Sequence, residues 1–286
     1  MGKIRDQMLA EMELRGMAVR TQDTYLMCCR QFVQHFMKSP EQLGAAETKA
    51  FILHLIRERQ ASPSSVGVHV AAVHFLYRVV LRNPEAVEDL PRPKVPIHLP
   101  TVPSRDEVRR LLKAVRSLKY RTILTVAYGA GLRVSEVCHL QVADIDSEQM
   151  VLHIRGAKGG KDRLVPLSPR MLAALRRYWV KARPPRACLF PGRRADMPIT
   201  KDAVRKVLKC AVKELGLTKP LSLHSLRHGF ATHLLEDGED IRVLQAILGH
   251  SHVQTTTHYA RVTTERLRKV KSPLDRLRKS TSTVAG

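Results

Sequence analysis

The sequence predicts a mainly α-helical chain with a small antiparallel β-sheet in its second half. Three observations carry that expectation. Most segments space their apolar residues three to four apart, the period of a helix buried on one face. Only residues 150–155 (MVLHIR) and 162–167 (DRLVPL) read as strands, and the Gly-Lys-rich turn GAKGGK joins them as a hairpin. Residues 84–103 hold six of the sixteen prolines, namely Pro84, Pro91, Pro93, Pro96, Pro100 and Pro103. Proline fixes φ and removes a backbone donor, so that stretch suits neither a helix nor a central strand.

Before the prolines, helices are expected at 4–15, 21–37, 46–59 and 63–82, a bundle of about four, with Thr21, Ser39 and Ser62 as caps or breaks. The proline stretch reads as an extended linker. Ser104 and Glu107 form a capping-box pattern that opens a helix over 105–117. A second apolar helix covers 120–129, and the turn GAGLR leads into a short helix around VSEVCHL. After the hairpin, helices recur at 169–182, 200–215, 223–236, 240–248 and 253–261. A basic helix follows at 263–279, interrupted by Pro273. The domains are accordingly 1–83, a linker at 84–103, and 104–286, with a frayed end at STSTVAG. Trp179 and the aromatics at 75–77 read as core, and His233, His252 and His258 as capping or surface residues.

A formal charge of +23 over 286 residues asks for a polyanionic partner. Residues 1–99 carry a net +3 and residues 100–286 a net +20, so the excess belongs to the second part. It is spread over several expected helices, which suits a surface shaped around a duplex better than a basic tail. Double-stranded DNA is therefore the expected partner; an anionic membrane surface is the weaker reading, because no single amphipathic face carries the basic residues with exposed aromatics. No run of about 18 apolar residues is present and the first sixteen residues are charged, which argues against a membrane span and a secretory signal. The five cysteines are too scattered for a disulfide framework or a metal knuckle and read as reduced thiols of an intracellular protein; with DNA as partner, the expected location is cytoplasmic and nucleoid-associated.

Several polar residues stand where turns and helix faces would present them. Arg133 follows the glycine turn GAGLR, and Lys158 lies in the hairpin turn AKGGKDR. His224 and Arg227 are three apart on one helix face. His250 ends the helix in AILGH, and Tyr259 follows nine residues later in TTTHYARV. As chemistry this is a kit for phosphoryl transfer that needs no metal or other cofactor. Two arginines could clamp the nonbridging oxygens of a phosphodiester. A lysine could protonate a leaving 5′ oxygen, and histidines could bond or move protons. A tyrosine could attack phosphorus. Each residue has a blander reading: Arg133 a surface ion pair, Lys158 an ordinary turn lysine with Lys161 its near competitor, Tyr259 a packed aromatic. Tyr25, Tyr77, Tyr120, Tyr128 and Tyr178 compete as nucleophile, and His224 with His228 could share a zinc.

Together, GLRVSE around Arg133, KGGKDRLVPL around Lys158, LSLHSLRHGFATHLL, LGHS at His250 and Tyr259 resemble the tyrosine recombinases of the phage-integrase family. The resemblance covers nearly the whole chain. It implies an N-terminal SAM-like, core-binding helical domain and a catalytic domain from about residue 104. It also implies that Arg133, His224 and Arg227 contact the scissile phosphate and Lys158 is the general acid. His250 would bond the phosphate or assist, Tyr259 would be the nucleophile, and Glu136 would support Arg133. The expected enzyme is a site-specific DNA recombinase working through a 3′-phosphotyrosine and a Holliday junction, independent of metal and ATP. It would act as a homo-tetramer on paired sites, and as a monomer or weak oligomer free. Leu267, Val270, Leu274 and Leu277 would dock the C-terminal segment onto a neighbouring protomer. The layout resembles minimal Xer-type members, with integron-integrase-like features in the linker. A DNA-binding accessory relative that no longer cuts and a type IB topoisomerase-like enzyme are the alternatives.

Overall fold

The computed structural model describes residues 2–94, 96, 101–156, 162–184, 188–249, 270 and 272–274. The chain divides into two compact units, Met1–His98 and Leu99–Gly286.

Among the described residues of the first unit, every regular element is a helix. Its helices are α1 (Gly2–Leu14), α2 (Val19–Phe36), α3 (Ala45–Arg57) and α4 (Pro63–Phe75). Ser62 caps α4 by accepting from the Ser65 amide at 3.3 Å, with Pro63 at the first helical position. Thr21 caps nothing: α2 begins two residues earlier, after Ala18, with no side-chain cap. The helix expected over 63–82 changes character at Leu76, where five residues take a π turn, and Arg82 then turns left-handed. That turn buries Leu76 and Tyr77 together. The Tyr77 hydroxyl lies 2.9 Å from the carbonyl of Pro40 and 3.0 Å from that of Leu43, tying α4 to the turn before α3. Phe32, Phe51, Val70 and Val73 complete this core. The first residues of the proline-rich stretch fold onto it as a short 3₁₀ turn, Pro84–Val87, where proline's fixed φ is an asset. Ala86, Val87 and Leu90 are buried there, and the Thr48 hydroxyl donates to the Ala86 carbonyl at 2.7 Å.

The second unit packs helices around a three-stranded antiparallel sheet. Ser104 and Glu107 cap α5 (Arg105–Ala114) reciprocally, at 3.1 and 2.6 Å. Helix α6 (Leu118–Gly129) is buried along its last eight residues and forms the unit's centre. A left-handed Gly131 turns the chain into α7 (Val134–Cys138). The strands β1 (Ile145–Asp146), β2 (Val151–Ile154) and β3 (Arg163–Pro166) run in sequence order. The hairpin pairs Leu152 with Val165 and Ile154 with Arg163. The two-residue β1 has no counterpart among the expected strands, being too short to show alternation. Helices α8 (Pro169–Ala182), α9 (Lys201–Glu214), α10 (Leu223–Glu236) and α11 (Ile241–Leu248) follow, capped by Ser168, Thr200, Ser222 and Asp240.

Three other expectations change. Trp179, read as core, is 36 % exposed on α8, whose buried face is Met171, Leu175 and Tyr178. His233, read as a cap or surface residue, is buried on α10, with Nδ1 2.9 Å from the Tyr128 hydroxyl. Burial and the nearby Arg105 hold its pKa below the usual histidine value. Within the basic stretch 263–279 only 270 and 272–274 are described; Pro273 and Leu274 form a turn where the interruption was expected, since proline cannot continue a helix donor ladder. Val270 and Leu274, expected to dock onto a neighbouring protomer, are instead buried in this unit's own core, where Ser272 donates to the Gly129 carbonyl at 2.8 Å. The expected helix at 253–261, with Leu267 and Leu277, lies outside the described residues.

Among the described residues no helix is long and apolar enough to cross a membrane. All five cysteines are free; four are buried and Cys210 is exposed.

Candidate active site

The glycine turn after α6 explains the position of the first arginine. At Gly131 a Cβ would lie 2.4 Å from Phe230, so the turn can pass close to α10 only without a side chain. Arg133 then caps the start of α7, and Glu136, one turn in, folds back onto it. The Glu136 carboxylate accepts from the Arg133 amide at 2.8 Å and from Arg133 Nη1 at 2.8 Å.

A residue that sequence reasoning missed supplies the rest. Arg163, first in β3, donates from Nη1 and Nη2 to the two oxygens of Glu136, at 2.9 and 2.8 Å. This is a bidentate ion pair, with side chains 9 % and 7 % exposed. Arg227, on α10, lies 3.9 Å from the same carboxylate. Three arginines thus surround one carboxylate, leaving net positive charge for an anion. Burial, the largest influence on Glu136, pushes its carboxyl up; the bonds from Arg163 and Arg133 outweigh it and bring the pKa to about 2.

The arginines also take the carbonyls at the end of α11, which have no partner inside the helix. Arg163 Nε donates to Ile247 O at 2.7 Å. Arg227 Nη2 donates to Leu248 O at 2.5 Å, and its Nη1 to Gly131 O at 2.7 Å. Arg133 Nη2 reaches Gly249 O at 3.4 Å. Gly249 closes the helix in a left-handed conformation, with Arg163 so close that a Cβ would lie 3.0 Å from its Cδ. Arg227 is 3 % exposed. Burial and then Arg133 lower its pKa to about 10, so it stays charged at neutral pH. Among the described residues, each of Arg133 and Arg227 spends two of its five N–H groups on these bonds and keeps three.

His224 lies one turn before Arg227 and is exposed at the mouth of the cluster. Burial of part of its ring, with Arg227 and Arg133, lowers its pKa and favours neutral imidazole. Its neighbour His228 stands edge-on, with ring centroids 4.6 Å apart. Among the described residues no three His, Cys, Asp or Glu side chains gather as a metal would require.

The structure therefore brings together Arg133, Glu136, His224 and Arg227 and adds Arg163. Lys158, with its competitor Lys161, His250 and Tyr259 lie outside the described residues. Their flanks are described: the Gly156 amide donates to Asp162 Oδ1 at 2.8 Å at the base of the hairpin turn, and Gly249 immediately precedes His250. The strand geometry explains why Arg163 is turned inward. Side chains two apart on a strand share a face, and Val165 is buried, so an arginine on that face needs a buried carboxylate.

Residues 103–266 match the phage integrase family, and residues 4–85 match the N-terminal SAM-like domain of phage integrases. The chain belongs to that family and is a DNA strand-transferring tyrosine recombinase of the site-specific type. An integrase/recombinase homologue of Sinorhizobium fredii is 42% identical over 278 residues, covering 97% of this chain and 90% of that one. The tyrosine recombinase XerA of Pyrococcus horikoshii is 34% identical over 268 residues, covering 93% and 91%. Among solved structures, the XerA recombinase crystal structure aligns over 96% of both chains at 26% identity and a TM-score of 0.51. The fold is also that of lambda integrase residues 75–356, solved as a dimer bound to a core site. The TM-score there is 0.72 at 18% identity, over 91% of this chain and 99% of that one.

Proposed function

We propose that this chain binds duplex DNA and cuts it through Tyr259, with Arg133, His224 and Arg227 holding the scissile phosphate. The observation that carries the reading is the arginine cluster. Two buried or half-buried guanidinium groups, oriented by one carboxylate and by helix-end carbonyls, keep free N–H groups for an anion. Such donors are fixed before the substrate arrives, which is what stabilises charge developing on a pentacovalent phosphorus.

In the proposed step the Tyr259 oxygen bonds to phosphorus and the P–O5′ bond breaks. Lys158 protonates the departing 5′ oxygen. The phenol proton passes to an imidazole, for which neutral His224 is suited and His250 is the second candidate. The resulting 3′-phosphotyrosine keeps the phosphodiester energy, so rejoining to a new 5′ hydroxyl needs no nucleotide and no metal. Two sites would exchange strands through a Holliday junction within a homo-tetramer on paired DNA, the free protein being a monomer or weak oligomer in the cytoplasm. Residues 1–83 and 104–286 would each contact DNA, joined through 84–103. The net +20 of residues 100–286 supports strong, salt-dependent phosphate contacts.

The test is a denaturing gel for a covalent protein–DNA adduct. The substrate is labelled duplex from the DNA flanking the protein's own gene, nicked to trap the intermediate. An adduct from wild type that Tyr259→Phe does not form supports the reading. Binding to that DNA without an adduct counts against it.

A further inference from the structure

We propose that Arg163 is a positioning residue for strand cleavage. It sets Glu136, and through it Arg133, while pinning the end of α11 from which His250 follows. The inference rests on the proposed function above and concerns the same site.

Arg163 is placed unlike the other two arginines. Its Nε is spent on Ile247 O, and one N–H of each Nη is spent on Glu136. Among the described residues, three of its five N–H groups are thus engaged, against two at Arg133 and two at Arg227. Its bonds join three pieces of chain distant in sequence: β3, α7 and the end of α11. Arg133 shares Glu136 Oε1 with Arg163, so the angle of that carboxylate fixes where the Arg133 fork points. The carbonyls of Ile247, Leu248 and Gly249 are taken in turn by Arg163, Arg227 and Arg133. Removing the first leaves the other two to hold the helix end unaided. Arg163 also stands five residues after Lys158 in the sequence, and it pairs with Ile154 at the described end of the hairpin.

Gly249 gives independent support. A side chain there would meet Arg163 Cδ at 3.0 Å, so the helix end and this arginine are fitted to each other. Glu136 also faces Arg227 from α10 at 3.9 Å, and borders a cavity with His139, Asp144, His153 and Arg155. Among the described residues, the side chains that hydrogen-bond to its carboxylate are those of Arg133 and Arg163.

The experiment measures two quantities separately on the nicked flanking duplex: single-turnover adduct formation at saturating DNA, and DNA affinity by gel shift. Misplacing a reacting group by an ångström costs about 100-fold in rate, so Arg163→Met is expected to form adduct about 100-fold more slowly. Its DNA affinity should stay within about threefold, because the interaction lost acts on the reacting centre and not on binding. Arg163→Lys, which keeps the charge but cannot make the fork and the Ile247 bond together, should recover part of the rate. In a Glu136→Gln background the further loss from Arg163→Met should shrink below about tenfold, since both act through one contact. If Arg163→Met alone does not fold, Arg163→Lys against wild type, and the double variant against Glu136→Gln, still decide. A rate within about threefold of wild type overturns the proposal, as does lost affinity at unchanged rate or an equal loss in both backgrounds. A wild type that binds this DNA but forms no adduct sinks the strand-cutting assignment itself, a result distinct from normal adduct formation by the arginine variants.

Discussion

Arg227 donates from Nη2 to the Leu248 carbonyl at 2.5 Å, so an arginine proposed to hold the phosphate also closes the helix that ends just before His250. Binding and helix capping are therefore not separable at this position. Arg227→Lys removes the fork and leaves a buried carbonyl short of a donor, which costs about 1–3 kcal/mol. Adduct formation should fall by about 10²–10³, the loss typical for one such donor, with a measurable drop in melting temperature. Wild-type adduct rates in this variant would dismiss Arg227 as a phosphate ligand.

Tyr259→Phe should bind DNA as wild type does and form no covalent adduct, read on matched native and denaturing gels. The change removes one oxygen and nothing else, so a Phe variant that still cuts would move the nucleophile to another tyrosine.

Lys158→Ala should slow cleavage of ordinary DNA and be rescued by a 5′-thio leaving group, which departs without a proton. Time courses on the two substrates check this. An equal defect on both would shift the acid role to Lys161 or His224.

Glu136 should make stability acid-sensitive. Its folded pKa is lowered from 4.5 to about 2, so its contribution is complete above 4.5 and is lost as pH falls toward 2. The amount is about 3 kcal/mol by proton linkage. Urea unfolding across that range should show wild type losing stability more steeply than Glu136→Gln. Parallel curves would mean that the Arg163–Glu136 pair is not formed in solution.

Gly131→Ala should be among the more damaging small substitutions. The residue sits at φ +61°, a methyl group there would lie 2.4 Å from Phe230, and its carbonyl accepts from Arg227. Strain plus overpacking should cost about 2–4 kcal/mol. Gly156→Ala, at φ +57° in open space, should cost about 1 kcal/mol. Thermal melting of the two variants checks the order.

The helices were legible because their signals are local. Ser104 with Glu107, and the apolar spacing of α8 through α11, state their elements within one or two turns. Local signals failed where packing overruled them. Trp179 is apolar but lies on the outward face of α8, and His233 is polar but finds Tyr128 across α6. Arg163 went unread because RLVPL shows no alternation: both faces of β3 carry apolar residues, so nothing marks the arginine as inward.

The sequence by itself determined the helical class, the hairpin, the caps, and the candidate residues Arg133, Glu136, His224 and Arg227. The elements and Arg133, His224 and Arg227 follow from spacing within a few residues, where helix and turn geometry dictate who shares a face, while Glu136 is what the family resemblance implies. Only the tertiary structure decided that Glu136 belongs as much to Arg163 as to Arg133, and that Arg227 spends two donors on Gly131 and Leu248. Those partners are 21 to 96 residues apart, and no periodicity reaches so far. They are chosen by burial, because a charge or helix-end carbonyl taken out of water must find a partner among whatever the packing brings within reach.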